Sequence, residues 1–583
     1  MSCQLTCQSL VDVLSYQAEN YPSKTAYIFL NEASFAEEKL TYAELDIKAK
    51  ALAVAIQEQG LKKGDRALLI FAPGLDLICA YFGCLYAGVI AIPVYPPLNA
   101  HLLEKTQLLM KNSKPRLLLA TQDSIMHLGK PDGNTDCERW AFEKLPCLAT
   151  DHITPIFVFA ERWHKPDIQP QDIAFLQYTS GSTMDPKGVI ISHGNLLHNI
   201  ALINQGFRTN SQSIALAWLP PYHDMGLIGH ILAPLYSGVT SILMAPFSFL
   251  KNPLGWLKNI HKYKATITGG PNFTYDYCVR RIGEEKKAGL DLSSWQIAYN
   301  GAEPIRADTM ERFYHAFKDY GFRKEAFNPC YGLAEATLFV TGKVDVESYQ
   351  TVTLVKEHLQ NHKIQIVADS QTETIKLVSS GKMLQTVKIV DPEKLSECEK
   401  DTVGEIWVDG ASVAQGYWRQ EDETAHAFHG KIKDDDTNTS YLRSGDLGFL
   451  HNEELYVTGR IKDLIILYGK NHYPQDIEHT VSHCHPQICA GNLAAFTTEV
   501  NDEFKLSLVC EVQDQNMETT EQEHLFKTIN TAIYQNHQLE VHNIVLIPPK
   551  AIPKTTSGKI RRNFCRQSLS QKTLPVIASW QAR

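Results

Sequence analysis

The stretch of sequence best suited to chemistry is YTSGSTMDPKGVIISH, residues 178–193, which directly follows the apolar run IAFLQ. Its small and hydroxyl-bearing residues offer backbone N–H and side-chain O–H donors to a multiply charged anion, and Lys187 adds a cation. The Gly-Lys-Ser/Thr order of a Walker loop is absent. The pattern predicts a phosphate-binding loop, with a plain Ser/Thr/Gly-rich turn as the alternative.

A second group of residues could handle a carboxylate and a metal ion. His223 and Asp224 lie in WLPPYHDMGLIG, between prolines and glycines, which favours a site over a structural histidine. In PCYGLAEAT, Tyr331 offers an aromatic face to a base and Glu335 offers a hard oxygen ligand for Mg²⁺. Glu335 also fits a helix N-terminal carboxylate stabilised by the helix dipole, and both interpretations can hold together.

Three further segments each carry a charge that could meet a nucleotide. RSGDLGF carries Asp446, whose carboxylate could accept hydrogen bonds from the hydroxyls of a ribose, and GRIKDLI carries Arg460, which could pair with ribose or phosphate. Near the C-terminus, IPKTTSGKIRR puts Lys559 in a Ser-Gly-Lys turn. Taken alone, the first two segments are charged turns and the lysine is a solvated charge.

Parallel sheets are expected to position these residues, because apolar runs of strand type alternate with helical patterns such as residues 41–60. The runs are ALLIFAP (67–73), RLLLAT (116–121), PIFVFA (155–160), IAFLQYT (173–179), TSILMAP (240–246) and ATITGGP (265–271). This alternation predicts an α/β fold whose parallel sheets are covered on both faces. Ligands in such folds bind at the carboxyl ends of the strands.

A smaller α+β unit is predicted after a turn-rich stretch at 462–470. It contains strands at 492–498 and 505–512, a helix at 521–537 and a strand at 543–549.

One long apolar segment has to be weighed as a membrane span. Residues 77–100 carry no charge, and a span needs about 20 apolar residues. Glycines and prolines interrupt the segment, so we predict a buried helix that ends near Gly88, followed by a buried strand in VIAIPVY.

Size and composition set the remaining limits. The chain has 583 residues, which corresponds to about three or four structural units. A formal net charge of −9 argues against broad electrostatic binding to nucleic acid or anionic membrane. The 13 cysteines show no framework spacing, and the first residues lack a leader pattern, which together predict a cytoplasmic protein with reduced thiols.

Together with YNGAEPI (299–305), these segments resemble, in order, the signatures of the acyl- and aminoacyl-adenylate-forming superfamily, over roughly residues 20–565. That superfamily includes acyl-CoA synthetases, peptide-synthetase adenylation domains, luciferases and fatty acyl-AMP ligases. The resemblance implies a large domain, 1–461, of parallel-rich sheets layered with helices plus a β-barrel-like subdomain. It also implies a small mobile α+β domain, 462–583, that carries the catalytic lysine.

The resemblance also implies residue roles. Lys559, His223 and Glu335 would be catalytic, Glu335 would hold Mg²⁺, and Asp463 would be the hinge. ATP would be bound by Thr179, Ser180, Gly181, Ser182, Thr183, Lys187, Asn300, Gly301, Ala302, Glu303, Tyr331, Gly332, Leu333, Ala334, Asp446 and Arg460. The acyl group would be bound by His223, Asp224, Met225, Gly226, Phe273 and Tyr275. Met184 stands where the family pattern has glycine, and it would be strained if that position needs a positive φ.

Within the superfamily, three features resemble the fatty acyl-AMP ligase branch: PPYHDMGL, GGPNFTYDYC and an insertion at 351–376. The branch implies attack of a fatty acid carboxylate on ATP to give acyl-AMP and pyrophosphate. The acyl group would then pass to the phosphopantetheine thiol of a separate acyl carrier protein. The insertion would limit rotation of the small domain and so disfavour coenzyme A. Alternatives are an acyl-CoA synthetase, an amino-acid adenylation enzyme, or a catalytically dead nucleotide-binding regulator.

Overall fold

The computed structural model describes residues 7–31, 36–97, 99–128, 142, 145–154, 156–179, 186–368, 373–433, 435, 437–500, 503–555 and 558–582. The phosphate-loop residues Ser180, Gly181, Ser182, Thr183 and Met184, for which a role or strain was predicted, lie outside these ranges.

The phosphate loop is carried by a sheet in which the described residues form six strands. In spatial order the strands are Cys147–Ala149, Leu117–Ala120, Arg66–Ile70, Ile90–Val94, Ile173–Thr179 and Lys187–Ser192. Neighbouring strands are parallel except for the last two, which form an antiparallel hairpin. The predicted phosphate loop is the connection of that hairpin, and Thr179 pairs with Lys187 at its base.

A larger sheet of 13 described strands carries most of the other predicted site residues. In spatial order the strands are Thr386–Val390, Gly404–Asp409, Leu442–His451, Glu454–Arg460, Lys382–Met383, Phe339–Gly342, Phe327–Gly332, Ile297–Asn300, Ile267–Gly270, Ile214–Ala217, Thr240–Met244, Thr25–Asn31 and Ala36–Thr41. The first seven are successively antiparallel, and the next five continue in parallel. The predicted α/β fold class is confirmed.

Helices layer these sheets and bury apolar side chains against them. The described α-helices are Leu10–Asn20, Tyr42–Glu58, Leu75–Ala87, Ala100–Ser113, Gln122–His127, Ile156–Glu161, His193–Gly206, Asp224–Leu227, Ala233–Tyr236, Pro246–Lys251, Pro253–Tyr263, Asn272–Arg281, Ala307–Phe317, Lys356–Gln360, Glu421–Phe428, Pro474–Cys484, Thr519–His537 and Arg562–Ser570. Local sequence sets their ends: the helix from Tyr42 begins at a capping box in which Thr41 and Glu44 exchange hydrogen bonds.

The long apolar segment has the predicted structure. The helix Leu75–Ala87 ends at Gly88, whose φ of 69° is a left-handed conformation suited to glycine. The strand Ile90–Val94 follows, and it is buried throughout. Among the described residues, no helix combines the length and the apolar character needed to cross a membrane.

The prediction of a strand in PIFVFA is wrong, because residues Ile156–Glu161 form a helix. Ile156, Phe159, Ala160 and Trp163 pack against the core, whereas Phe157 is 68% exposed. This spacing is helical, and a six-residue window is too short to separate it from a strand.

The small unit has its own sheet and its own core. Its strands are Ile488–Val500, Glu503–Val512, Val541–Ile547 and Ala578–Gln581, and a separate hairpin joins Ile465–Leu467 to Lys470–His472. Helices Pro474–Cys484 and Thr519–His537 contribute buried apolar residues to this core. The predicted strands and helix are therefore present, while the boundary at 461/462 stays a prediction.

Candidate active site

A short turn of the small unit presents Lys559 to the large unit. The amide of Lys559 donates to Oγ1 of Thr555 at 3.0 Å, and the Lys559 carbonyl accepts from the Thr555 amide at 2.8 Å. A Cβ placed on Gly558 would lie 3.9 Å from Cε1 of Phe273. The turn is therefore seated against the segment predicted to bind the acyl group.

Charged groups from three parts of the large unit surround the Lys559 ammonium. Burial between the two units, followed by repulsion from Arg460, lowers the pKa of Lys559, while Asp224, Asp446 and Glu303 act in the opposite direction. Lys559 thus lies within electrostatic range of a residue from each predicted subsite: Asp224 for the acyl group, Asp446 for the ribose and Glu303 for the base.

The His223–Asp224 pair lies at the start of the short helix Asp224–Leu227. Nδ1 of His223 is 2.5 Å from Oδ1 of Asp224, which also accepts from the amide of Met225 at 2.7 Å. Burial opposes ionisation of Asp224, but His223 and then Lys559 outweigh it, so the pKa of Asp224 is lowered. The pair is therefore an oriented polar group in a mostly apolar wall.

Gly226 is needed where the chain turns behind this pair. A Cβ at this position would lie 2.0 Å from the carbonyl oxygen of Pro220, so no other residue fits without a backbone shift. The glycine therefore shapes the predicted acyl site through close packing of the backbone.

Asp446 joins two elements that were predicted to bind the ribose. Its Oδ1 lies 2.9 Å from Nε of Arg460, the residue opposite it in the antiparallel register, and its Oδ2 accepts from the hydroxyl of Tyr331 at 2.8 Å. The side chains of Asp446 and Tyr331 are buried, whereas that of Arg460 is 61% exposed. The arrangement holds one carboxylate, one phenol and one guanidinium in fixed positions beside each other.

Glu335 lies on a strained turn that begins at Ala334 and follows Gly332 and Leu333. The turn is a 3₁₀ segment, Ala334–Ala336, which ends at Thr337 with φ 68° and ψ −60°. The amide of Leu338 donates to the carbonyl of Ala336 at 2.9 Å, which makes a γ-turn of the rare, strained kind. Oγ1 of Thr337 donates to the carbonyl of Ser412 at 2.6 Å and fixes the turn. Strain of this kind persists where the surroundings enforce it, commonly at functional sites.

The Glu335 turn is linked to the base of the phosphate loop through Tyr417. The Tyr417 hydroxyl donates to Oε1 of Glu335 at 2.8 Å, and the Lys187 ammonium lies 4.9 Å from the centroid of the Tyr417 ring. Lys187 also forms an ion pair with Glu423.

The segment Asn300–Glu303 follows a strand of the large sheet. Asn300 is fully buried, and among the described residues its Oδ1 has no hydrogen-bond partner. Gly301 lies against the Cys330 carbonyl, and Ala302 has a φ of 67°. Burial raises the pKa of Glu303, although its Oε1 accepts from the amide of Phe273 at 2.6 Å. A buried unpaired amide oxygen at a strand end fits a ligand that donates hydrogen bonds there.

The two aromatic residues predicted to line the acyl site lie in different surroundings. Phe273 is half-buried, and its ring meets Trp218 edge-on at 6.0 Å. Tyr275 is fully buried in an aromatic core with Trp295 and Phe313, and its hydroxyl donates to the carbonyl of Tyr299 at 2.7 Å. Tyr275 therefore has the contacts of a core residue, and only Phe273 adjoins the Lys559 turn.

The insertion predicted at 351–376 forms a hairpin with a short helix, and it contacts the small unit. The strand Thr351–Val355 pairs with Thr374–Val378, and the helix Lys356–Gln360 follows the first strand. Lys356 donates to the carbonyl of Asn536, and Nζ lies 3.3 Å from Nδ1 of His537. The carbonyl of Gln360 accepts from Nδ2 of Asn471 at 2.9 Å.

Comparison with known proteins identifies the family. The family described as AMP-binding enzyme matches residues 14–418. The chain belongs to the AMP-binding enzyme family. The family described as Disco-interacting protein 2-like, AMP domain, matches residues 462–579. The resemblance drawn from the sequence segments is therefore confirmed.

Individual relatives span nearly the whole chain. A medium-chain-fatty-acid–[acyl-carrier-protein] ligase of Moorena producens is 40% identical, over 99% of this chain and 97% of its own. A fatty acid AMP ligase of Legionella pneumophila is 56% identical, with a TM-score of 0.77 over 99% of this chain and 98% of its own. A fatty acyl-adenylate ligase of L. pneumophila, solved with acyl adenylate and pyrophosphate, is 55% identical, with a TM-score of 0.76 over 99% of this chain and 98% of its own.

Glu335 fits the magnesium site expected of an ATP-using member of this family. Its carboxylate is half-buried, and the Tyr417 hydroxyl orients it. Within the described ranges, no group of three His, Cys, Asp or Glu side chains is arranged to hold a metal ion. Mg²⁺ commonly takes one or two carboxylates and completes its octahedron with substrate phosphates and water, so a single oriented carboxylate fits it.

Sequence reasoning missed three residues that the site brings together. Tyr417 stands between Glu335 and Lys187, and Arg562 and Glu478 hold the Lys559 turn to the small unit. In the run AQGYW, only the glycine before Tyr417 could have drawn attention to this position. Glu335 is 82 residues away from Tyr417 in the chain and Lys187 is farther, and no local pattern reports such contacts.

Proposed function

We propose that this chain activates a medium- or long-chain fatty acid with ATP and releases pyrophosphate, and that the acyl group of the acyl-adenylate then passes to a carrier-protein thiol. The observation that carries the proposal is the position of Lys559. Its turn lies against Phe273, and its ammonium is within electrostatic range of Asp224 and Asp446. One cation thus faces the acyl side and the nucleotide side of the same cleft.

The reaction needs positioning and charge neutralisation. A carboxylate oxygen attacks the α-phosphorus of ATP, a new P–O bond forms, and the bond to the β-phosphate oxygen breaks to release pyrophosphate. Lys559 would balance the negative charge of the carboxylate and α-phosphate as they approach each other. Lys187 and the loop from Thr179 would hold the β- and γ-phosphates. When bound at Glu335, Mg²⁺ would neutralise phosphate charge.

The nucleoside would be held by the large sheet. Asp446 would accept hydrogen bonds from the ribose hydroxyls with Arg460 beside it, and the unpaired Oδ1 of Asn300 would accept a hydrogen bond from the base. Tyr331 would contact the base, with its hydroxyl engaged by Asp446. These roles would put the base and the ribose on elements of one sheet.

The acid would be recognised by its carboxylate and its apolar tail. His223, held by Asp224, would meet the carboxylate, and the aromatic wall formed by Phe273 and Trp218 would begin the apolar channel. Each buried methylene contributes about 0.8 kcal/mol, so a tail of ~10 carbons contributes about 8 kcal/mol before costs. An apolar channel can therefore select a fatty acid over a short acid.

A carrier-protein acceptor is supported by the relative of Moorena producens, which is named as a ligase for an acyl carrier protein. Contacts of the insertion with the small unit also support it, because they would limit rotation of the small unit and so disfavour coenzyme A. An acyl-CoA synthetase is the second candidate, because a relative of Mycobacterium tuberculosis that is 34% identical over 96% of this chain is named as a putative fatty-acid–CoA ligase. An amino-acid adenylation enzyme would need an acidic partner for the substrate amine.

Fatty-acid-dependent exchange of labelled pyrophosphate into ATP tests the proposal. The purified chain is given Mg²⁺, ATP, pyrophosphate and saturated acids of increasing length, with the amino acids as a comparison set. We expect exchange with fatty acids and none above background with amino acids. Exchange that depends on an amino acid would overturn the choice of substrate.

A further inference from the structure

Among the described residues, the side chain of Tyr417 contacts both Glu335 and Lys187. Its hydroxyl donates to Oε1 of Glu335 at 2.8 Å, and its ring lies under the Lys187 ammonium with 4.9 Å between Nζ and the ring centroid. Tyr417 therefore supports both the Glu335 carboxylate, which would meet the metal, and the Lys187 ammonium, which would meet the phosphates.

The backbone around Tyr417 is held firmly from both sides. Tyr417 bridges Val189 of the strand that follows the phosphate loop, and the Trp418 amide donates to the carbonyl of Gly188 at 2.8 Å. The Tyr417 amide donates to Oγ1 of Thr424 at 2.9 Å. A residue held in this way can impose its position on a more flexible side chain such as glutamate or lysine.

The same segment also fixes the Glu335 turn through its backbone. The amide of Ala414 donates to the carbonyl of Glu335 at 2.9 Å, and the carbonyl of Ser412 accepts from Thr337 at 2.6 Å. Residues 412–418 thus connect the strained turn to the base of the phosphate loop.

Tyr417 is 8% exposed, and its ring meets Phe428 edge-on at 5.2 Å. Its hydroxyl is the donor and the Glu335 carboxylate the acceptor of the 2.8 Å hydrogen bond between them. A donated hydrogen bond fixes the orientation of a carboxylate and leaves its charge available to a cation.

We propose that Tyr417 is a positioning residue for the metal–phosphate end of the nucleotide: it orients Glu335 toward Mg²⁺ and seats Lys187 beside the phosphates. The inference rests on the proposed use of ATP. Tyr417 makes two separable contributions: its hydroxyl acts through Glu335, and its ring acts through Lys187.

Two variants separate these contributions. Tyr417→Phe removes the hydroxyl and keeps the ring, whereas Tyr417→Leu removes both. Tyr349→Phe is the matched control, because Tyr349 is also buried and its hydroxyl donates to a carboxylate, Oε1 of Glu311, at 3.0 Å, among contacts remote from these residues.

The readout is calorimetric binding of α,β-methylene-ATP at increasing Mg²⁺. Removing a hydrogen-bond partner of a metal ligand typically lowers metal affinity by about 10- to 100-fold. We therefore expect Tyr417→Phe to raise the half-saturating Mg²⁺ concentration about tenfold or more. Tyr417→Leu should also weaken nucleotide binding at saturating Mg²⁺, and Tyr349→Phe should match the wild-type chain. A wild-type Mg²⁺ dependence in Tyr417→Phe would overturn the proposal.

A double-mutant cycle with Glu335→Gln covers the case in which Tyr417→Phe loosens the fold. If the hydroxyl acts through Glu335, Tyr417→Phe adds no further Mg²⁺ effect in the Glu335→Gln background, whereas additive losses would contradict that route. The binding readout is independent of acid turnover. A chain that shows the Mg²⁺ effect but activates no fatty acid would refute the proposed function alone.

Discussion

Arg562 donates from Nη1 to Oδ2 of Asp463 at 2.8 Å, which ties the predicted hinge to the helix that follows the Lys559 turn. The other edge of the guanidinium is held by Glu478, with Nε to Oε1 at 2.6 Å and Nη2 to Oε2 at 2.7 Å. The predicted hinge, the helix and the Lys559 turn are therefore connected. Arg306 also joins the large unit to the small unit, since its Nη1 lies 2.9 Å from Oδ1 of Asp476.

Replacing Lys559 should abolish the chemical step and spare substrate binding. Removing one group that stabilises a developing charge commonly costs about 10²- to 10³-fold in rate, so we expect a loss of that order in adenylate formation by Lys559→Met. Single-turnover formation of acyl-AMP measures it. The control is Lys554→Met, because Lys554 is exposed in the same turn and bonds to Asn492 at 2.6 Å. Equal losses in both variants would contradict a specific role for Lys559.

Asp446→Asn should weaken nucleotide binding without altering acid binding. The change removes a charge that Arg460 and Tyr331 contact at 2.9 and 2.8 Å. Hydrogen bonds to charged groups are worth about 1.5–3 kcal/mol, so the KM for ATP should rise about 10- to 100-fold. The KM for the fatty acid should stay within twofold. A larger effect on the acid than on ATP would place Asp446 in the wrong subsite.

Loosening the insertion should admit coenzyme A. Lys356→Ala with Gln360→Ala removes side-chain contacts that the insertion makes with His537 and His472 of the small unit. We expect acyl-CoA to become detectable by mass spectrometry, where the wild-type chain forms only acyl-AMP. Lys363→Ala is the control, because Lys363 lies in the same insertion but faces Thr402 of the large unit. No acyl-CoA from the double variant would contradict a restraining insertion.

The interface of the insertion with the small unit should make stability depend on pH. Burial lowers the pKa of His537 to about 3 and that of His472 to about 4, from a usual value of 6.5. Between pH 6.5 and 4 these histidines are therefore protonated in the unfolded chain but largely neutral in the folded chain. The free energy of unfolding consequently falls as the pH falls. Each such histidine contributes about 1.4 kcal/mol per pH unit.

Unfolding midpoints of the wild-type chain and His537→Gln, measured from pH 7.5 to 5, test this dependence. The variant should lose stability less steeply as the pH falls, since one of the neutral histidines is gone. His524→Gln changes an exposed histidine on the same helix and should keep the wild-type slope. A wild-type slope in His537→Gln would contradict the assignment.

Local pattern was enough to predict much of the fold. The apolar stretch at 77–100 became a buried helix that ends at Gly88 and a buried strand, because glycine and proline leave no continuous span. The small-unit strands were also found, since each is a short apolar run with turns around it. The strand prediction for 155–160 was wrong because the helical spacing of its apolar residues is visible only when Trp163 is included.

The candidate site was predictable only in part, for a physical reason. Residues predicted to meet a ligand directly carry recognisable chemistry, as with His223, Asp446 and Lys559. Residues that act through another side chain do not, because their partners are distant in the chain. Tyr417 acts on Glu335 across 82 positions and Arg562 on Asp463 across 99, and only the fold brings them together.

The most direct test of the account is the product formed from lauric acid, ATP and Mg²⁺, with and without coenzyme A, resolved by mass spectrometry. We expect lauroyl-AMP and pyrophosphate in both reactions, with the adenylate persisting when coenzyme A is present and consumed when a phosphopantetheinylated carrier protein is added. Rapid conversion to lauroyl-CoA, or no adenylate from any fatty acid, would contradict it.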